Sequence, residues 1–217
     1  MKLLDRLLEL FFPTRCAFCH ALMREPGEKV CSRCMKTLPY VSEDAQRQCF
    51  QNLDSVLSPL YYEGSVRDSL IRYKFHSVTS YAEIYADFLL KCIDENDIFC
   101  DSITWVPVSR RRLRRRGYDQ ARLMAEALSK KLGLPCERCL DKVRDNPPQS
   151  RSGGRDARRK NVHNVYRPVD SSTIKGQRLL LVDDIVTTGA TLSEAAGVLR
   201  EAGTAGIVGI TLARSRQ

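Results

Sequence analysis

Through the second half of the chain, short apolar runs alternate with amphipathic stretches, a rhythm that predicts strands joined by helices around a parallel sheet. Residues 103–108 form a β-rich run that ends in an arginine-rich loop and Gly117. Residues 120–132 carry a helical stripe stopped at Gly133, a residue type that readily takes the left-handed conformation closing a helix. A strand is expected near 139–143, ahead of the breaker Asp145-Asn146-Pro147-Pro148. The polar, glycine-containing residues 144–161 are expected to be a mobile loop. A buried strand at 178–183, a helix at 191–202 stopped by Gly203, and a last strand at 207–212 complete the pattern. Upstream, Tyr81, Ile84, Tyr85, Phe88, Leu89 and Cys92 recur at helical spacing, so residues 81–93 are read as a helix. Residues 41–75 read as a connector with strand character near 56–62, residues 1–12 as a short amphipathic helix, and the stretch up to Tyr40 as a cysteine-rich module. The expected architecture is therefore a small module at 1–40 and an α/β domain at 41–217, with a connecting hood region at 41–75 and a core at 101–217.

A hydrophobic content of 43% is enough to fill such a core. No apolar run approaches the ~18 residues of a membrane span. Leu3, Leu4, Leu7, Leu8 and Phe11 are interrupted by Asp5, Arg6 and Glu9, whereas the core of a secretory signal is uncharged. A cytoplasmic protein with no integral membrane segment is expected. Nine cysteines, an odd number without a sign of export, then point to metal ligation or free thiols rather than disulfides.

The net charge of +9 is concentrated in the second half: residues 101–217 hold 23 Lys/Arg against 12 Asp/Glu, while residues 1–100 are slightly acidic. Six arginines fall within residues 110–116 and five basic residues within 151–160, clusters suited to phosphate groups on a small molecule or a nucleic acid.

The run Leu179-Leu180-Leu181-Val182-Asp183-Asp184-Ile185-Val186-Thr187-Thr188-Gly189-Ala190-Thr191 is the most informative. An apolar strand delivers two adjacent carboxylates to the end of a sheet where α/β folds bind ligands. A short loop of hydroxyl residues and glycine then opens a helix, whose first N–H groups are free for an anion. Carboxylates beside an anion cradle make sense when a sugar lies between them: the acids suit ribose hydroxyls and the loop a 5′-phosphate. A Walker B strand would share the apolar-acidic run, but no G-x-x-x-x-G-K-[ST] occurs in the chain, and no G-x-G-x-x-G follows a strand.

Across its thirteen residues this run resembles the phosphoribosyl pyrophosphate (PRPP) signature of type I phosphoribosyltransferases. Val106-Pro107-Val108-Ser109, the arginine run and Arg116-Gly117-Tyr118-Asp119-Gln120-Ala121 resemble the pyrophosphate-loop region of the ComF family. Arg72-Tyr73-Lys74-Phe75-His76 resembles that family's basic-aromatic segment. The resemblance implies a type I phosphoribosyltransferase fold, PRPP with Mg²⁺, and an association with DNA uptake in naturally competent bacteria. By position it implies that Asp183 and Asp184 hold the ribose hydroxyls at the catalytic centre, and that Thr187, Thr188, Gly189, Ala190 and Thr191 cradle the 5′-phosphate. Ser109 and Arg110 approach pyrophosphate, Lys74 joins the ligand site, and residues 144–160 take the place of the flexible catalytic loop. Transferases acting on 6-oxopurines usually carry an Asp where this chain has Thr187, which disfavours purine salvage.

Cys16-x₂-Cys19 and Cys31-x₂-Cys34, eleven residues apart, make two knuckles that can converge on one tetrahedral Zn²⁺ in a structural role. Cys16-Ala17-Phe18-Cys19-His20 also spells a c-type haem attachment, which needs export and leaves the second knuckle unexplained. Cys136 and Cys139 form a third C-x-x-C with no partner knuckle. Three functions are compatible with this reading: a phosphoribosyltransferase, a single-stranded-DNA-binding factor of the competence pathway, and a regulator that senses PRPP.

Overall fold

A computed structural model describes residues 14–23, 27–144, 165–170 and 172–216. The helix expected at 1–12 and the basic loop from 145 onward lie outside the described residues. In chain order the elements are α1 (Ser32–Thr37), α2 (Glu43–Gln46), β1 (Arg47–Gln48), β2 (Ser55–Leu57), β3 (Leu60–Tyr61), α3 (Gly64–Phe75) and α4 (Tyr81–Glu95). They continue with β4 (Ser102–Trp105), α5 (Arg110–Arg116), α6 (Gln120–Leu132), β5 (Leu140–Lys142), β6 (Tyr166–Pro168), β7 (Arg178–Val186), α7 (Ala190–Glu201) and β8 (Gly206–Arg214).

Six strands form one sheet in the order β1-β2-β8-β7-β4, with β3 also paired to β8. Every pairing is parallel except that of β1 with β2. The strands β2 and β3 follow β8 as one interrupted line, pairing at Val208–Ile210 and then at Ala213–Arg214. At the interruption Pro59 has no N–H to give, and the buried hydroxyls of Ser58 and Thr211 bond each other at 2.7 Å. The short β5 and β6 pair antiparallel in a separate ribbon.

The sheet separates two apolar layers. Leu180 and Val182 of β7 join the layer built with α3, α4 and α6, while Leu179 and Leu181 join the layer under α7. This is the face alternation of a strand, and the two-sided burial explains why β7 reads as a continuous apolar run.

Two segments differ from the expectation. Gly64–Phe75, inside the stretch read as a connector, is a twelve-residue helix. Its inward face is Val66, Ser69, Leu70 and Tyr73, and the polar Ser69 on that face breaks the apolar stripe that would have announced it. The arginine run is also helical rather than a loop. Ser109 caps α5 by accepting the Arg112 N–H at 3.4 Å, Gly117 closes it at φ 82°, and none of its residues is buried.

Candidate functional site

Strand β7 continues to Val186, so the turn between strand and helix is only residues 187–189. Asp183 and Asp184 sit within the strand's last hydrogen-bonded stretch, where Asp183 is paired with Thr211. Residues 185–192 and Asp183 enclose a small concavity of about 30 Å³ at the start of α7. Thr187 and Thr188 are exposed there and Thr191 is half-buried. Gly189 caps α7 in the left-handed conformation, φ 73°, and a Cβ at this position would overlap the Phe50 ring. Only glycine satisfies both constraints. The start of α7 carries small hydroxyls and first-turn N–H groups, of which that of Ala190 donates to the Thr188 hydroxyl at 3.5 Å, and the positive end of a helix favours an anion.

The two acids have separate surroundings. Asp184 receives Lys74 of α3, Nζ to Oδ1 2.9 Å, with both side chains largely covered. Asp183 lines the concavity, and one of its oxygens accepts the Asp184 backbone N–H at 2.8 Å. Burial, then the adjacent Asp184 charge, raise the Asp183 pKa, while that N–H and the Lys74 charge pull against them.

The helix delivering Lys74 is locked to the loop that follows α5. The Tyr73 hydroxyl donates to the Gln120 carbonyl at 2.8 Å, and the Tyr118 hydroxyl donates back to the Tyr73 carbonyl. The Arg116 guanidinium lies 4.8 Å above the Phe75 ring and donates to Gln120 Oε1 at 2.7 Å. The basic-aromatic segment and the segment from Arg116 to Ala121 thus fit one another residue by residue. Tyr73 and Gln120 lie in the quoted motifs but carry no site role there; they hold the two segments together, and full burial of a tyrosine and a glutamine is not visible in a sequence.

Ser109 and Arg110 do not reach the concavity. They line a separate cleft of about 720 Å³, with Trp105, Arg122, Arg138 and Arg144 among its walls. The Ser109 hydroxyl is committed to its capping bond and is buried, while Arg110 is exposed. The acids of this cleft are already engaged: Asp119 on the N–H groups of Val108 and Arg122, Glu126 on Arg122, and Asp141 on Arg138.

The sulfurs of Cys16, Cys19, Cys31 and Cys34 all lie within 4.8 Å of one another, with Cys19 and Cys31 3.7 Å apart. Thiolates tetrahedrally placed about 2.3 Å from Zn²⁺ would be separated by about 3.8 Å, so the cluster fits the ion with no position left open. Burial raises the Cys16 pKa, but the backbone N–H groups of Cys31, Cys19 and Phe18 outweigh it and bring the thiol down to about 7. His20 is exposed at φ 62° and outside the four-sulfur group. The module is not separate from the main domain: Phe18 is fully buried and packs on Phe88 of α4, ring centroids 5.3 Å apart. Cys136 and Cys139 lie beside β4, and burial raises both thiols, Cys136 to about 11. Among the described residues no helix is long and apolar enough to cross a membrane.

Similarity to known proteins covers both the cysteine module and the α/β domain. Residues 119–217 match the phosphoribosyl transferase domain, and residues 7–59 match the double zinc ribbon domain. The chain is 26% identical to competence protein ComFC of Streptococcus pneumoniae over 201 residues, covering 92% of this chain and 87% of that protein. It is 35% identical to competence protein F of Haemophilus influenzae over 105 residues, 48% of this chain and 45% of the relative. A similar partial match, 32% over 108 residues, covers 49% of this chain and 46% of the DNA utilization protein YhgH of Escherichia coli. A type I phosphoribosyltransferase domain and a four-cysteine zinc ribbon are thus carried on one chain that is similar, over most of its length, to the ComFC competence proteins.

Proposed function

We propose that the concavity at the end of β7 binds PRPP with Mg²⁺, and that the protein transfers its phosphoribosyl group to a nitrogen acceptor in the service of DNA uptake. The observation that carries the reading is the pairing of two unlike acids with a hydroxyl-bearing helix start at one strand end. Asp183 and Asp184 accept the ribose hydroxyls, while the N–H groups of 187–191 and the hydroxyls of Thr187, Thr188 and Thr191 hold the 5′-phosphate. Burial and the Asp184 charge raise Asp183, a carboxyl that gains from a hydroxyl or cationic partner.

Two carboxylates and a diphosphate are hard oxygen donors that suit Mg²⁺, which when bound neutralises the leaving pyrophosphate. The chain's part is positioning: Lys74 fixes the orientation of Asp184, and Arg110 and Arg144 at the large cleft offer positive charge to the departing group. Atom by atom, the acceptor nitrogen forms a bond to ribose C1 as the C1–oxygen bond to pyrophosphate breaks with its electron pair. Thr187 stands where a purine-directed acid would, so the acceptor is read as something other than a 6-oxopurine. The test is pyrophosphate release on incubation with PRPP, Mg²⁺ and a panel of bases and amines. Release with one acceptor class supports transfer; binding without release for every acceptor leaves a PRPP-sensing regulator as the reading.

A second reading rests on α5. Its arginines have no buried member, and Arg114 and Arg115 have no carboxylate partner among the described residues. Such a helix suits the backbone of single-stranded DNA.

A further inference from the structure

Helix α3 touches both the zinc ribbon and the ligand site. Arg72 donates through one nitrogen, Nη2, to the carbonyls of Ala17 and Phe18, at 3.0 and 2.6 Å. Ser69, one turn earlier on the same face, donates to the Ala17 carbonyl at 2.5 Å. Ala17 and Phe18 are the two residues inside the first knuckle, between Cys16 and Cys19. Two residues beyond Arg72 stands Lys74, which at about 100° per residue projects from nearly the opposite side of the helix. There it meets Asp184 at 2.9 Å. The helix is therefore gripped by the knuckle on one side and presents the counter-charge of the ligand carboxylate on the other.

We infer that Arg72 is a positioning residue through which the state of the four-cysteine centre sets the placement of Lys74 against Asp184. The charge balance gives the direction. Four thiolates around Zn²⁺ carry a net charge of about −2, whereas four protonated thiols carry none. The Arg72 guanidinium, bound to knuckle carbonyls and with its Nε buried and without a hydrogen-bond partner, is the counter-charge that the loaded centre holds in place. Unloading the centre removes that attraction and frees the knuckle backbone on which Ser69 and Arg72 rest. The register of α3 is then secured only by its other contacts, such as the bonds between Tyr73, Gln120 and Tyr118. Zinc occupancy would in this way reach the ligand site without any zinc-bound group entering it.

The test reads Lys74 directly, by mass-spectrometric mapping of lysine acetylation at neutral pH on the full chain. Lys131, held 2.6 Å from Asp87 on a different helix pair, is the internal control. The expected result is that Lys74 reacts several-fold faster in the zinc-free chain and in zinc-loaded Arg72→Met, with Lys131 unchanged in both. Arg72→Lys, which keeps the charge but loses the planar fork, should fall between. A role confined to fold stability would raise both lysines together or neither, and either outcome overturns the inference. Where zinc removal unfolds the chain, the zinc-loaded Arg72→Met protein decides alone, its metal content confirmed by atomic absorption. A parallel PRPP titration of Arg72→Met rests on the proposed function. Weaker PRPP binding with a more reactive Lys74 supports both ideas, while an altered Lys74 with no PRPP binding by any form sinks the ligand reading and keeps the coupling.

Discussion

Lys74 and Asp184, 110 positions apart in the chain, meet at 2.9 Å in an ion pair whose two side chains are less than one-fifth exposed. A pair this well covered lies between the exposed pairs that contribute little and the buried ones whose single removal is severe. A double-mutant cycle with Lys74→Met and Asp184→Asn is expected to give a coupling of about 1 kcal/mol in urea unfolding. Additive single effects would show that the contact is incidental.

Asp183 makes stability depend on pH with a definite sign. Its folded-state pKa is raised, by burial first and by Asp184 second, above the ordinary value of about 3.9. The folded protein therefore retains a proton that the unfolded chain has lost, and this contribution is full below about pH 4 and lost as pH rises through the folded value. Asp183→Asn should raise the melting temperature at pH 7–8, with the gain shrinking toward pH 4. A gain that grows on acidification would mean that the carboxyl is stabilised in its charged form.

Gly189 is constrained twice, by φ 73° and by the Phe50 ring over its Cα. Gly189→Ala should destabilise the fold by about 1–3 kcal/mol, from overpacking and the unfavourable backbone together. Adding Phe50→Ala relieves the overlap alone, so it should return part of the loss and not all of it. Complete recovery would show that the backbone conformation costs nothing at this turn.

The arginine helix separates into two roles. Arg116 bonds Gln120 and covers Phe75, so its removal disturbs the fold, whereas Arg114 and Arg115 are free of such duties. Arg114→Ala/Arg115→Ala should leave the melting temperature unchanged and reduce the salt dependence of single-stranded DNA affinity, by a slope of about 0.7 for each phosphate no longer neutralised. An unchanged slope removes α5 from any DNA track.

Much of the core was legible: Leu179–Val182 is buried on both faces of the sheet, and the stripe from Tyr81 to Cys92 keeps the spacing of one helix face. The turn at the end of β7 was equally visible, since Thr187, Thr188 and Gly189 lie consecutively in the chain. What escaped were features made by distant contacts. Helix α3 hides its inward face behind Ser69, whose partners Ala17 and Tyr85 come from elsewhere in the sequence. The separation of Ser109 and Arg110 from the concavity, and the unequal surroundings of Asp183 and Asp184, depend on which helix covers which side of β7.

The central claim is that residues 183–191 hold a phosphoribosyl pyrophosphate, and isothermal titration of the zinc-loaded chain with PRPP and Mg²⁺ tests it most directly. The account predicts saturable binding of one PRPP per chain, with affinity reduced at least about tenfold, 1.4 kcal/mol, in Asp184→Asn and in Asp183→Asn. No heat with the folded wild-type chain, or an affinity that both substitutions leave untouched, would contradict it.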